Sequence, residues 1–135
     1  FAPDAIVLQC GADSLADDPQ SRLALSNGAL WSVVAALRPL SARYLVLGGG
    51  GYNPWSVGRA WTGVWATLAA QDIPERLPEQ AEAVLRALVW HGNRRGRNPP
   101  EHWFTTLRDP SRPGPIRPDI RARVEYLTSR FAAIV

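Results

Sequence analysis

The sequence predicts an α/β fold, and three observations predict it. Two short apolar runs, Ala5-Ile6-Val7-Leu8 and Tyr44-Leu45-Val46-Leu47, are each bounded by turn residues. Continuous runs of this length read as strands buried on both faces of a parallel sheet. Between them lies a segment of helical periodicity, so the order strand, helix, strand makes a βαβ unit. Further helical segments follow, which places helices rather than more strands in the second half of the chain.

The first strand lies within Asp4 to Cys10, between Pro3 and Gly11. The first helix takes Ser26 as N-cap, carries Leu30, Val33, Val34 and Leu37 at helical spacing, and stops at the proline after Arg38. The second strand lies within Arg43 to Leu47, between Pro39-Leu40-Ser41 and the tract Gly48-Gly49-Gly50-Gly51. Asn53 caps the next helix with Pro54 at its first position, and Val57, Trp61, Val64, Trp65 and Leu68 form its apolar stripe. Pro78 opens a third helix with Glu79 and Glu82 in the first turn and Val84, Leu85 and Leu88 inward. Residues 91–118 read as irregular, with a short aromatic stretch at Trp103-Phe104. A last helix starts near Asp119, with Ile120, Val124, Leu127 and Phe131 on one face. That makes two strands and about four helices. A two-stranded parallel sheet is too small to stand alone, so the expectation is a part of a larger sheet.

Composition agrees with a folded domain. Of 135 residues 46% are hydrophobic and 20% charged, which excludes a disordered charged tail. All fifteen basic residues are arginine. No apolar run approaches the roughly 18–20 residues that cross a bilayer, and no basic segment precedes the apolar start as in a signal peptide. The chain has no Met and begins with Phe1, which reads as a processed product or a piece of something longer. A single Cys excludes a disulfide framework and fits a reducing, cytoplasmic compartment. The net charge of +3 does not indicate nucleic-acid binding.

In open α/β sheets ligands bind beyond the carboxyl ends of the strands. The two strand ends run into Gln9-Cys10-Gly11-Ala12-Asp13 and into Gly48-Gly49-Gly50-Gly51-Tyr52, side by side if the strands are neighbours. Asp13 there is either a metal ligand or a cap of the following turn. Asp17 and Asp18, before Pro19, read as solvated turn residues. The glycine tract lacks the lysine of a phosphate-binding P-loop and the spacing of a dinucleotide fingerprint, which leaves close backbone approach to a ligand or strand. Tyr52 is either a hydrogen-bond donor to a developing oxyanion or a ring packed under the loop. Cys10 reads as a small buried hydrophobe, His91 and His102 as structural or solvated, and Arg94-Arg95-Arg97 as a solvated loop or a site for an acidic partner.

Taken together, Gln9-Cys10-Gly11-Ala12-Asp13-Ser14-Leu15, Leu47-Gly48-Gly49-Gly50-Gly51-Tyr52-Asn53 and Val57-Gly58-Arg59-Ala60-Trp61-Thr62 resemble the C-terminal third of the zinc-dependent histone deacetylase family. The 39-residue interval from Asp13 to Tyr52 is similar to the family's spacing between a zinc-ligand aspartate and its transition-state tyrosine. The resemblance covers about residues 3–68; residues 69–135 form a helical and irregular extension. Ile73-Pro74-Glu75-Arg76-Leu77-Pro78 and Asn98-Pro99-Pro100-Glu101-His102-Trp103-Phe104 resemble the bacterial acetoin-utilization deacetylases more than the nuclear enzymes. Nuclear members carry, three residues after the tyrosine, an arginine for inositol phosphate and corepressor; Trp55 stands here, which implies no corepressor partner.

The resemblance implies an arginase/deacetylase-type parallel-sheet fold and zinc-promoted hydrolysis of an acetylated protein or a small acetylated amine such as an acetylpolyamine. It implies a cytoplasmic setting, with no membrane and no direct nucleic-acid partner. Asp13 would be one of three protein ligands of zinc, and Tyr52 the donor to the carbonyl oxygen. Gly50 and Gly51 would line the acyl-lysine channel, with Gln20 at its rim. The family's Asp-X-His ligand pair and His-His base pair occur nowhere in these residues. The chain by itself is therefore expected to be inactive and to bind negligible zinc. Two other readings stand beside this one: a non-catalytic acetyl-binding relative, and an interaction module built on the arginine cluster.

Overall fold

The computed structural model describes residues 2–91 and 93–131. Strands β1 (Ile6–Gln9) and β2 (Tyr44–Leu47) pair in parallel, Ile6 opposite Tyr44 and Gln9 opposite Leu47. Helix α1 (Asn27–Leu37) connects them and gives way to a 3-10 turn at Arg38–Leu40, where Pro39 has no N–H to continue an α-helix. The predicted βαβ unit is present.

Burial along both strands alternates instead of running through. Leu8 and Val46 pack into a core with Cys10, Trp31, Val34, Val64 and Leu107, whereas Val7 (65% exposed), Leu45 and Leu47 face outward. Among the described residues the strands are thus covered on one face only, not on both as the apolar runs predict. Side chains of α1 and of α2 (Pro54–Leu68) cover one face, and no described residue buries the other.

The pairing of α1 with α2 explains which helix faces turn inward. Trp31 lies flat on α2, its Nε1 donating to the Ala60 carbonyl at 2.9 Å. A Cβ on Gly63 would sit 2.0 Å from Trp31 Cε2, so only glycine admits the indole. The buried residues of α2 are Trp55, Ser56, Arg59, Ala60, Gly63, Val64 and Ala66; of the predicted stripe Val64 is buried and Val57 and Leu68 pack against the core, whereas Trp61 and Trp65 do not. Trp65 is 64% exposed, and Trp61 lies at the surface while its Nε1 donates to the Cys10 carbonyl at 2.7 Å. On α1, Val33 likewise points out, because Asn27, Trp31 and Val34 occupy the inward face.

Helix α3 (Glu79–Ala87) starts after Pro78 as predicted, but Val84 and Leu88 are exposed and only Leu85 is half-buried. Glu82 holds Arg86 at 2.7 Å and Arg76 at 3.0 Å, and Arg86 also pairs with Glu101. The irregular region contains a turn at Arg94–Arg97 and a four-residue helix, α4 (His102–Thr105). Its Trp103 is buried and stacks on Trp55 at 5.3 Å, with Phe104 and Trp90 edge-on to Trp55 at 6.2 Å. Burying a large side chain of this kind contributes about 1.5–3 kcal/mol, so a segment read as irregular closes the aromatic core. The final helix α5 (Pro118–Phe131) forms where predicted, yet Ile120, Val124, Leu127 and Phe131 are all exposed; no described residue covers that face. No described helix is long and apolar enough to cross a membrane. The Arg95 side chain, part of the arginine cluster, lies outside the described residues.

Candidate active site at the strand ends

Beyond their last paired residues the two strands stay zipped together. Cys10 N–H donates to the Leu47 carbonyl at 2.8 Å, and Ala12 N–H to the Gly50 carbonyl at 2.6 Å. This brings Asp13 against the glycine tract. A Cβ on Gly50 would lie 2.3 Å from Asp13 Oδ2, and one on Gly11 would lie 2.8 Å from Oδ1. The half-buried carboxylate thus sits on bare backbone from both strand ends, and no described residue donates a hydrogen bond to it. Asp13 does not cap the following turn; Asp18 does, through Gln20 N–H at 2.8 Å.

Gly51 has φ of +148° and no room for a side chain: a Cβ would meet Val57 Cγ2 at 2.7 Å and Ala12 Cβ at 3.0 Å. An L side chain there would be both strained and crowded. The chain then turns into α2, whose first amides are held by Asn53 Oδ1, from Trp55 N–H at 3.1 Å and Ser56 N–H at 3.3 Å. Tyr52 lies between these fixed points with its backbone N–H on Asp18 Oδ2 at 2.8 Å. Its side chain is 48% exposed and makes no hydrogen bond to a described residue, so the ring is not packed under the loop. Gln20 is exposed.

Several polar residues with no local sign of burial in the sequence are buried or half-buried in the structure. Asp18 is 2% exposed and Asp17 half-buried, not solvated: the Asp17 carbonyl accepts from Asn53 Nδ2 at 3.2 Å and its carboxylate from Trp103 Nε1 at 3.3 Å. Arg59 is 1% exposed, donates from Nε to the Thr106 carbonyl at 2.7 Å, and pairs with Asp109 at 2.8 Å. Burial pushes its guanidinium below the ordinary value, and the Asp109 and Asp17 carboxylates push back. Asn27 exchanges hydrogen bonds with the same segment: its N–H donates to Asp109 Oδ2, its Nδ2 to the Leu107 carbonyl, and its Oδ1 accepts from Asp109 N–H. The position of Arg59 in the quoted motif was visible in the sequence, but its partner was not.

The remaining candidates stay outside this site. Cys10 is buried, and burial pushes its thiol up, away from nucleophile chemistry. His102 lines a cleft of about 150 Å³ with Asp17, Asp109 and Arg112. Burial lowers its imidazole and Arg59 adds to this, while Asp109 and Asp17 oppose both.

Asp13 offers a carboxylate of the kind zinc accepts, and the absence of a hydrogen bond to it from any described residue fits that use. Catalytic zinc takes three protein ligands, and among the described residues no three His, Cys, Asp or Glu side chains converge. These residues therefore fit one corner of a zinc site and do not close one.

Residues 1–68 match the family model described as the histone deacetylase domain. Histone deacetylase 9 of Arabidopsis thaliana is 40% identical over 79 residues, covering 58% of this chain and 18% of that protein. Histone deacetylase clr6 of Schizosaccharomyces pombe is 37% identical over 78 residues, covering 58% and 19%. Among solved structures, an HDAC homolog from Aquifex aeolicus superposes with a TM-score of 0.79 at 32% identity, over 93% of this chain and 34% of that one. The chain thus spans less than a fifth of the curated relatives it matches and about a third of the solved one. The βαβ unit, the strand-end glycines and the half of the sequence that carries them all agree: this chain belongs to the histone deacetylase family.

Proposed function

We propose that this chain is the C-terminal part of a zinc-dependent deacetylase domain of the bacterial acetoin-utilization branch. Its reaction is hydrolysis of an acetylated lysine or a related acetylated amine to the free amine and acetate. The observation that carries the reading is that Asp13, a carboxylate to which no described residue donates a hydrogen bond, lies against Gly50, with the exposed Tyr52 two residues beyond that glycine.

Asp13 would hold zinc together with ligands from outside this chain. Bound there, zinc supplies polarisation of the amide carbonyl and a water of lowered pKa. Gly50 and Gly51 would let the acyl chain pass along backbone. The Tyr52 O–H would donate to the carbonyl oxygen as negative charge develops on it; removing one such donor typically costs about 2.7–4 kcal/mol in the barrier. The general base would also come from outside these residues. Trp55, buried against Trp103 where nuclear relatives carry an arginine, supports a deacetylase without inositol phosphate or corepressor. A single, buried cysteine supports a reducing, cytoplasmic setting.

Zinc content and deacetylase turnover of the 135-residue chain alone test the division of labour. The proposal expects neither above background. Stoichiometric zinc with turnover on acetyl-lysine peptides would overturn it.

A further inference from the structure

Asp18 is a buried carboxylate that the proposed chemistry does not use. It lies five residues beyond Asp13, yet both of its oxygens are directed at backbone amides: Oδ1 takes Gln20 N–H and Oδ2 takes Tyr52 N–H, each at 2.8 Å. The second contact joins residues 34 positions apart and ties the loop after β1 to the end of the glycine tract. On the other side of Tyr52, Asn53 Nδ2 is held by the Asp17 carbonyl. Gly51, on the near side, is confined by Ala12 and Val57. The backbone at Tyr52 is therefore held from three directions while its phenol remains exposed, with no hydrogen bond to a described residue.

We infer that Asp18 is a positioning residue: through the Tyr52 N–H it sets where the phenol stands relative to Asp13. The inference rests on the reading of Tyr52 as the oxyanion donor. A charged acceptor makes a stronger and shorter hydrogen bond to an amide than a neutral one does. Burial removes competing water, so the contact can define a geometry on which catalysis depends. In Asp18→Asn, one oxygen is replaced by an amide that is itself a donor, and either Tyr52 N–H or Gln20 N–H loses its acceptor.

A double-mutant cycle on the zinc-loaded deacetylase that contains these residues tests this. Tyr52→Phe is expected to lower kcat about 10²–10³-fold, and Asp18→Asn about 10–100-fold, with KM within about twofold. If Asp18 acts through Tyr52, the double variant is no slower than Tyr52→Phe alone by more than about twofold. Multiplying losses would overturn the inference and leave the reading of Tyr52 standing. Full kcat in Tyr52→Phe would overturn that reading first, and the inference with it. Amide hydrogen exchange on the wild-type protein needs no variant to fold. Tyr52 N–H protected at least about 100-fold over an open loop is expected, and unprotected exchange would overturn the inference.

Discussion

Asp13 and residue 50 compete for the same space: a Cβ added to Gly50 falls 2.3 Å from Asp13 Oδ2 and 2.5 Å from its Cγ. The Asp13 carboxylate has its position because the facing residue has no side chain. The atom in the way is the end of a rotatable side chain, so the conflict is resolved by moving Asp13 rather than the backbone. Gly50→Ala is expected to change stability by less than about 1 kcal/mol while swinging the carboxylate out of place. Gly51→Ala, at φ of +148° and against Ala12 and Val57, is expected to cost about 1–3 kcal/mol. Urea unfolding of both variants, with zinc content of the assembled domain, separates the two effects. A Gly50→Ala domain that keeps full zinc contradicts the placement of Asp13.

Arg59 ties α2 to Thr106 and Asp109, and Asn27 ties α1 to the same segment. Removing one member of a buried ion pair costs about 3–5 kcal/mol. Asp109 keeps some contact with water, so the lower end of that range applies to Arg59→Met. The check is the urea midpoint of the domain that contains these residues; a shift worth less than about 0.5 kcal/mol contradicts a structural role for the pair.

His102 links folding to pH. Burial and Arg59 lower its folded-state pKa beneath the ordinary 6.5, against the pull of Asp109 and Asp17. The unfolded chain therefore takes up the proton first as pH falls. The stability that the neutral imidazole contributes is complete above about pH 6.5 and is lost as pH drops through the folded value. Unfolding midpoints between pH 7.5 and 5.5 are expected to fall in the wild type and to fall less in His102→Gln. Equal slopes would show that His102 is not the group responsible.

What the sequence made legible was local. The two apolar runs, the Asn53 cap and the break at Pro39 depend on neighbours within a few positions, and each is where it was read. The meeting of Asp13 with the glycine tract followed from one topological step, since consecutive parallel strands bring their ends together. The rest depends on distant partners. Asp18 looks like a solvated turn residue until Tyr52 N–H arrives from 34 positions away. Trp61 and Trp65 satisfy a helical stripe, but Trp31 selects the small-residue face of α2 instead. Arg59 has no local feature that announces burial; its partners lie at Thr106 and Asp109. The exposed apolar faces of β1, β2 and α5 show the converse: periodicity identifies a face that seeks cover without showing what covers it.

If Tyr52 donates to the carbonyl oxygen beside a metal held in part by Asp13, the kcat of the zinc-loaded deacetylase on an acetyl-lysine peptide falls in Tyr52→Phe, a change that deletes one hydroxyl from an exposed ring. A fall of about 10²–10³-fold in kcat with zinc content and KM unchanged is the predicted result. A Tyr52→Phe enzyme with wild-type kcat would contradict it.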